Sequence, residues 1–174
     1  VPTLKFLDRK TETENFDEIK SFLASKGVVI ERWEAAQKLS DNDSQETILA
    51  AYAHELKPFM QKGGYTTADV VNIHGNVPNL DVIRAKFLQE HTHSEDEVRF
   101  FVDGEGGFYF HFEDPEEVVC VVCRAGDFIS VPKGYKHWFD FAPKNFVKAI
   151  RIFIDQSGWV PNYTGSETEK RYVK

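Results

Sequence analysis

The chain has 174 residues, enough to bury roughly 70% of the unfolded surface, so one domain with a core that needs no staple is expected. A formal net charge of −7 argues against a broad basic surface for nucleic acid or anionic membrane. The longest apolar run, Val118 to Cys123, is far short of a bilayer span, and the opening VPTLKFLDRK has no secretory pattern, so a cytoplasmic protein is expected.

The first predicted helix runs from Asn15 to Lys26. Phe16, Ile19, Phe22 and Leu23 share one side, Asn15 can cap it and Gly27 can stop it. Val28 to Trp33 reads as a strand. Glu46 to Lys57 predicts a second helix with Ile48, Leu49, Tyr52 and Leu56 on one side, ending before Pro58. Thr66 to Ile73 reads as another strand, and Asn79 to Lys86 as a short helix turning Leu80 and Ile83 inward. After Phe87 the texture changes to short β-rich runs: 87–102, 107–112, 117–124, 127–131, 137–141 and 147–155, separated by glycine and proline turns. Such regular short strands suggest a sandwich or barrel. Eleven of the fifteen phenylalanines fall between 87 and 153, which places the main core in this half. A single domain 1–174 is expected, with 1–86 decorating a β-core at 87–155 and 156–174 as a tail.

Cys120 and Cys123 form a C-x-x-C inside a β-branched run. Strand positions three apart face opposite sides, so two half-buried thiols are expected rather than a disulfide, a redox pair or a zinc site. More chemistry lies in QEHTHSEDEVRFFVDG (Gln89 to Gly104). Read as a strand, it puts Val98, Phe100 and Val102 on one face and His91, His93, Glu95, Glu97 and Arg99 on the other. Two imidazoles with a carboxylate suit zinc, iron, nickel or manganese, whereas calcium and magnesium prefer oxygen shells. Parity admits either Glu95 or Glu97. The plainer reading is a polar, solvated edge strand. A second stretch, GDFISVPKGYKHWF (Gly126 to Phe139), is a strand, a P-x-G turn and then His137 between aromatics. A hairpin there can carry His137 toward the first two histidines, although a core histidine bonded to a backbone carbonyl is the simpler reading.

Together the two stretches resemble the cupin superfamily. Its first motif matches His91, His93, Glu97 and Gly104, which chooses Glu97 over Glu95; its second matches Gly126, Pro132, Gly134 and His137. Ala85 and Phe141 depart from the usual glycine and asparagine, and neither touches a ligand. The segments 83–104, 126–141, 149–153 and 158–165, with ERW at 31–33 and AAY at 50–52, further resemble bacterial acireductone dioxygenases over nearly the whole chain. Residues 108–124 depart from that pattern.

The resemblance implies an all-β cupin core, a jelly-roll-like barrel, with helices mainly in the N-terminal third. It implies one Fe²⁺ or Ni²⁺ per chain on His91, His93, Glu97 and His137. The substrates would be O2 and the acireductone 1,2-dihydroxy-3-keto-5-methylthiopentene of methionine salvage, handled by a monomer with no nucleic-acid or membrane partner. The iron form would give formate and 2-keto-4-methylthiobutyrate; the nickel form would give formate, carbon monoxide and 3-methylthiopropionate. Arg99 shares the ligand face, and Arg151 alternates with Val147, Ala149 and Phe153. Buried guanidinium groups want an anion, so both are expected to hold substrate oxygens or the ligating shell, with structural salt bridges as the alternative. Phe87 and Phe139 are expected to line the alkyl end of the pocket. Glu95 would orient Arg99 or an imidazole, and His54, His74 and His111 are surface or structural residues. The competing readings are a cupin dioxygenase for another enediol, a non-catalytic metal-dependent ligand-binding cupin, and a zinc sugar-phosphate isomerase.

Overall fold

Strand β6 (Glu97–Phe112) organises the molecule. It is 16 residues long and bends at Gly104, whose φ of +77° glycine adopts freely and other residues rarely do. A Cβ at that position would lie 2.7 Å from the carbonyl carbon of Phe146. Because of the bend, one strand serves two sheets. Its first half pairs with β8 (Asp127–Val131) and β10 (Val147–Phe153), which carry β3 (Val29–Arg32) and β4 (Thr67–Ile73) on their outer sides. Its second half pairs with β7 (Glu117–Arg124) and β9 (His137–Asp140). β1 (Thr3–Phe6) and β2 (Thr11–Thr13) extend the sheet past β7; β5 (His91–Thr92) and β11 (Asn162–Tyr163) extend it past β9. Among the described residues every pairing is antiparallel. The computed structural model describes residues 1–155 and 160–172.

Alternation along β6 divides the core in two. Phe101, Phe108, Phe110 and Phe112 point inward and meet Val119, Val121, Ile129, Phe139, Val147 and Ala149 from the surrounding strands. Val98 and Phe100 point outward, where Trp33, Tyr52, Leu56, Phe128, Ile150 and Ile152 close over them. Trp33 stacks on both Phe100 and Phe128, at 5.3 and 4.4 Å between ring centroids. Each fully buried phenylalanine contributes roughly 1.5–3 kcal/mol, so both faces of β6 are strongly anchored. The outer cluster is roofed by α2 (Gln45–Ala51) and α3 (Ala53–Gly63), while α1 (Phe16–Ser25) supplies Ile19 and Leu23 to the inner one. Asn15 caps α1 by accepting from the Glu18 amide, as its position implies. α4 (Leu80–Leu88) leads directly into β5. Among the described residues no helix is long and apolar enough to cross a membrane.

Several expectations are corrected. The helix expected to stop before Pro58 is two helices meeting at Tyr52, and the second runs through the proline to Gly63. Beyond Pro58 the Phe59 ring packs edge-on against Trp33 and Phe128, so tertiary burial outweighs the lost backbone bond. The strand expected over 87–102 is three pieces: the end of α4, the short β5, and β6 from Glu97. Residues 107–112 belong to β6 and are not a separate strand. β1, β2 and β11 were not foreseen. The two cysteines are free and buried rather than half-buried: Cys123 joins the inner core, and Cys120, on the opposite face, lies against Gly107 and Tyr109. Of the 158–165 segment, Gly158 and Trp159 lie outside the described residues.

Candidate metal centre

His91 in β5 pairs directly with His137 at the start of β9, and His137 also faces Phe110 of β6. His93 sits in the link between β5 and β6. The P-x-G turn reaches it, since the Gly134 amide donates to the His93 carbonyl at 3.0 Å. Glu97 opens β6 opposite Val131. Thus one continuous stretch, from β5 through the link to the start of β6, meets the distant start of β9 and brings the ligand-type side chains to one point. One ring nitrogen from each of His91, His93 and His137 falls within a group 4.8 Å across. Glu97 Oε2 lies 2.6 Å from His137 Nε2 and 3.5 Å from His93 Nε2, and its other oxygen is 3.1 Å from Arg99 Nε.

Backbone carbonyls fix two of the rings. His91 Nδ1 is 2.6 Å from the Gln89 carbonyl and His137 Nδ1 is 2.9 Å from the Tyr135 carbonyl. Those nitrogens must carry the proton, which leaves the Nε2 lone pairs for the centre. Burial above all, and next the neighbouring His137, lowers the His91 pKa to about 4, and burial also lowers that of His93. Burial opposes charge on Glu97 too, but His137 and Arg99 outweigh it and hold the carboxyl well below its ordinary range. His137 Nε2 and Glu97 Oε2 are buried without a hydrogen bond of acceptable geometry. Neutral imidazoles and an ionised carboxylate converging with such atoms fit a divalent transition metal.

The centre opens on a cavity of about 140 Å³ lined also by Ile83, Lys86, Phe87, Arg99, Phe139 and Pro161. Phe87 and Phe139 both line this cavity. Arg99 is 5% exposed, and its guanidinium lies 5.5–5.9 Å from the ring centroids of Phe87, Phe108 and Phe139. Arg151 is a correction. It is the cross-strand neighbour of Arg99, but its fork is bidentate to Asp69 of β4, at 2.8 and 2.6 Å, and it is absent from the cavity lining. Glu95 is a second correction. The chain leaves strand geometry between His93 and Glu97, and the Glu95 carboxylate turns away to accept the amides of Ile154 and Asp155.

One network was missed. Glu90, 2% exposed, accepts from the hydroxyls of Thr164 and Ser166 at 2.8 and 2.7 Å and bonds His111 Nδ1 at 2.7 Å. It ties residues 164–166 beside the strand that carries His91. The signal was available: Glu90 precedes a ligand-type histidine and faces the opposite way. A larger groove, about 530 Å³ between the end of α1, the end of β6 with the turn after it (111–114) and the turn at 134–136, includes none of His91, His93, Glu97 or His137.

Residues 5–161 match the model of the ARD/ARD′ family. The chain belongs to that family. It is 58% identical over 154 residues to an acireductone dioxygenase of Picosynechococcus sp., covering 88% of this chain and 87% of the relative. It is 50% identical over 153 residues to an acireductone dioxygenase of Granulibacter bethesdensis, with 88% and 84% covered. Among solved structures it is similar to an acireductone dioxygenase from Bacillus anthracis with a cadmium ion in its active centre. The TM-score is 0.85 at 33% identity, over 94% of this chain and 98% of that one. This ARD/ARD′ member thus has the family's cupin β-core.

Proposed function

We propose that this chain, as a single cupin domain, is an acireductone dioxygenase that cleaves 1,2-dihydroxy-3-keto-5-methylthiopentene with O2 in methionine salvage. One observation carries the reading: an ionised, buried carboxylate joins three inward-turned histidines at the end of an apolar cavity that also holds Arg99. His91, His93, Glu97 and His137 would hold one Fe²⁺ or Ni²⁺. When bound, the ion supplies Lewis-acid and template chemistry toward an enediolate and O2.

The protein's own groups have separable tasks. The Gln89 and Tyr135 carbonyls hold the His91 and His137 rings, so no reorientation is needed when an ion arrives. Glu97 offsets one of the two positive charges of the ion, and three neutral imidazoles leave the remainder to attract an anionic substrate. Arg99 steadies the second Glu97 oxygen and adds a buried positive charge for the substrate's oxygens. Phe87 and Phe139 receive the methylthioalkyl end and keep water from the reacting atoms. The soluble substrate, one ion per chain and acidic surface suit a cytoplasmic monomer.

The ligand set suits either ion, so availability chooses between them. The iron form is expected to give formate and 2-keto-4-methylthiobutyrate, and the nickel form formate, carbon monoxide and 3-methylthiopropionate. The test is to strip the protein, reload separate samples with Fe²⁺ and Ni²⁺, and measure oxygen uptake, carbon monoxide and keto acid. Identical products from two active forms would remove the metal-dependent outcome alone. No oxygen uptake from either form would remove the dioxygenase reading.

A further inference from the structure

Gly106 is buried in β6, and its backbone does not require glycine, since its φ lies outside the left-handed region. Strand interiors disfavour glycine, so something other than backbone geometry accounts for it. The neighbouring side chain supplies the reason. A Cβ built at Gly106 would come within 2.6 Å of Phe139 Cε2 and 3.2 Å of Cε1, and closer still to Cζ. Phe139 is opposite Phe108 in the β6–β9 register, which makes Gly106 its diagonal neighbour on the same face. The far edge of the Phe139 ring therefore lies in the space where residue 106 would carry a side chain. Gly107 faces the other way, toward Cys120 Sγ.

The ring has little room elsewhere. Phe108 stands 4.9 Å from it, Phe87 6.0 Å and Phe101 6.4 Å, centroid to centroid. The open volume beside it is the cavity of about 140 Å³ that it lines together with the metal-site residues. A side chain at 106 would push the ring toward that volume, because close-packed neighbours yield less readily than empty space.

We infer that Gly106 is a specificity-determining residue: by letting Phe139 lie back against β6, it sets the depth of the cavity's apolar end and so selects the length of the substrate's side chain. Gly106 is not among the residues that line the cavity and acts through Phe139. The inference rests on the proposed function for its substrate class, acireductones differing in alkyl or alkylthio tail. The ring displacement itself does not depend on turnover.

Two measurements test it on wild type, Gly106→Ala and Gly106→Ala/Phe139→Leu, with metal content determined for each. The first is calorimetric binding of straight-chain alkyl hydroxamates, general metal chelators with tails of graded length, to the Ni²⁺-loaded proteins. The second is kcat/KM for acireductones with short and with methylthioethyl tails. Gly106→Ala should keep its metal and lose about tenfold or more on the long tails while the shortest changes little, since even one methylene in an apolar pocket is worth ~10–200-fold. The double variant, with a smaller side chain in place of the Phe139 ring, should regain the long tails. An equal loss at every tail length, or no rescue in the double variant, would overturn the inference. If Gly106→Ala fails to fold, the double variant carries the same decision: tail-length dependence near that of wild type supports the inference and a uniform loss overturns it. Should wild type bind hydroxamates with the expected length dependence yet consume no oxygen with any acireductone, the functional reading falls while the role of Gly106 stands.

Discussion

Glu97 and His137 face each other across 2.6 Å, carboxylate oxygen to ring nitrogen, with both atoms buried. The His137 proton is committed to the Tyr135 carbonyl on the far side of the ring, so two acceptors converge. A cation bound beside them, by both atoms, relieves that repulsion. Glu97→Gln should therefore lose metal affinity by more than the ~10–100-fold that removal of an outer-shell partner costs. His91→Ala and His93→Ala should do the same. Glu95→Gln should keep its metal, because its carboxylate serves the backbone at 154–155. Metal analysis after equilibration against a chelator separates these variants, and full occupancy in Glu97→Gln would strike that residue from the ligand set.

Arg99 and Arg151 are cross-strand neighbours with different surroundings. Arg99→Met should retain metal and bind the anionic substrate more weakly by roughly 1.5–3 kcal/mol, the value of one charge-assisted contact in a dry pocket. Arg151→Met should leave substrate affinity unchanged and lower stability by about 1 kcal/mol through the loss of its Asp69 pair. Substrate titration and urea melts on both variants check the contrast. Equal losses of affinity would return Arg151 to the substrate.

Acid should unfold the metal-free protein for an identifiable reason. His91 titrates at about 4 in the folded state, lowered by burial and by His137, against about 6.5 in an unfolded chain. Between those values the unfolded state takes up a proton that the folded state refuses, so stability falls as pH falls. The contribution is fully present above about pH 6.5 and is lost progressively toward pH 4, up to about 3 kcal/mol for this group. Urea melts of the metal-free protein across that window measure the slope. His91→Gln should flatten it, and an unchanged slope would assign the acid sensitivity to other groups.

Cys120 and Cys123 should be silent toward thiol reagents while the protein is folded. Burial pushes the Cys120 thiol up to about 12 and raises Cys123 well above its ordinary value. Both side chains are also closed to solvent, and alkylation needs an accessible thiolate. Maleimide should label neither near neutral pH and both after denaturation. Rapid labelling of the native protein would show that β7 opens locally.

The amino-acid order alone determined which side chains could meet. The H-x-H pair, the carboxylate four residues after the second histidine, and His137 behind a P-x-G turn were legible as donor types at telling spacings. So was the aromatic density that builds the β-core. The sequence could not say how far strand geometry persists. Period-two parity put Glu95 and Glu97 on one face with equal standing, and that parity fails between His93 and Glu97, where Asp96 is held by the Lys133 amide and the Tyr65 hydroxyl. Those partners are 37 and 31 residues away, out of reach of any local pattern. The same holds for Arg151, whose partner Asp69 is supplied by β4, 82 residues earlier, and for Pro58, carried inside a helix by Phe59 packing on Trp33 and Phe128. Local propensity and spacing choose candidates; which carboxylate turns inward and which arginine faces the cavity is decided by contacts that exist only once the sheets have closed.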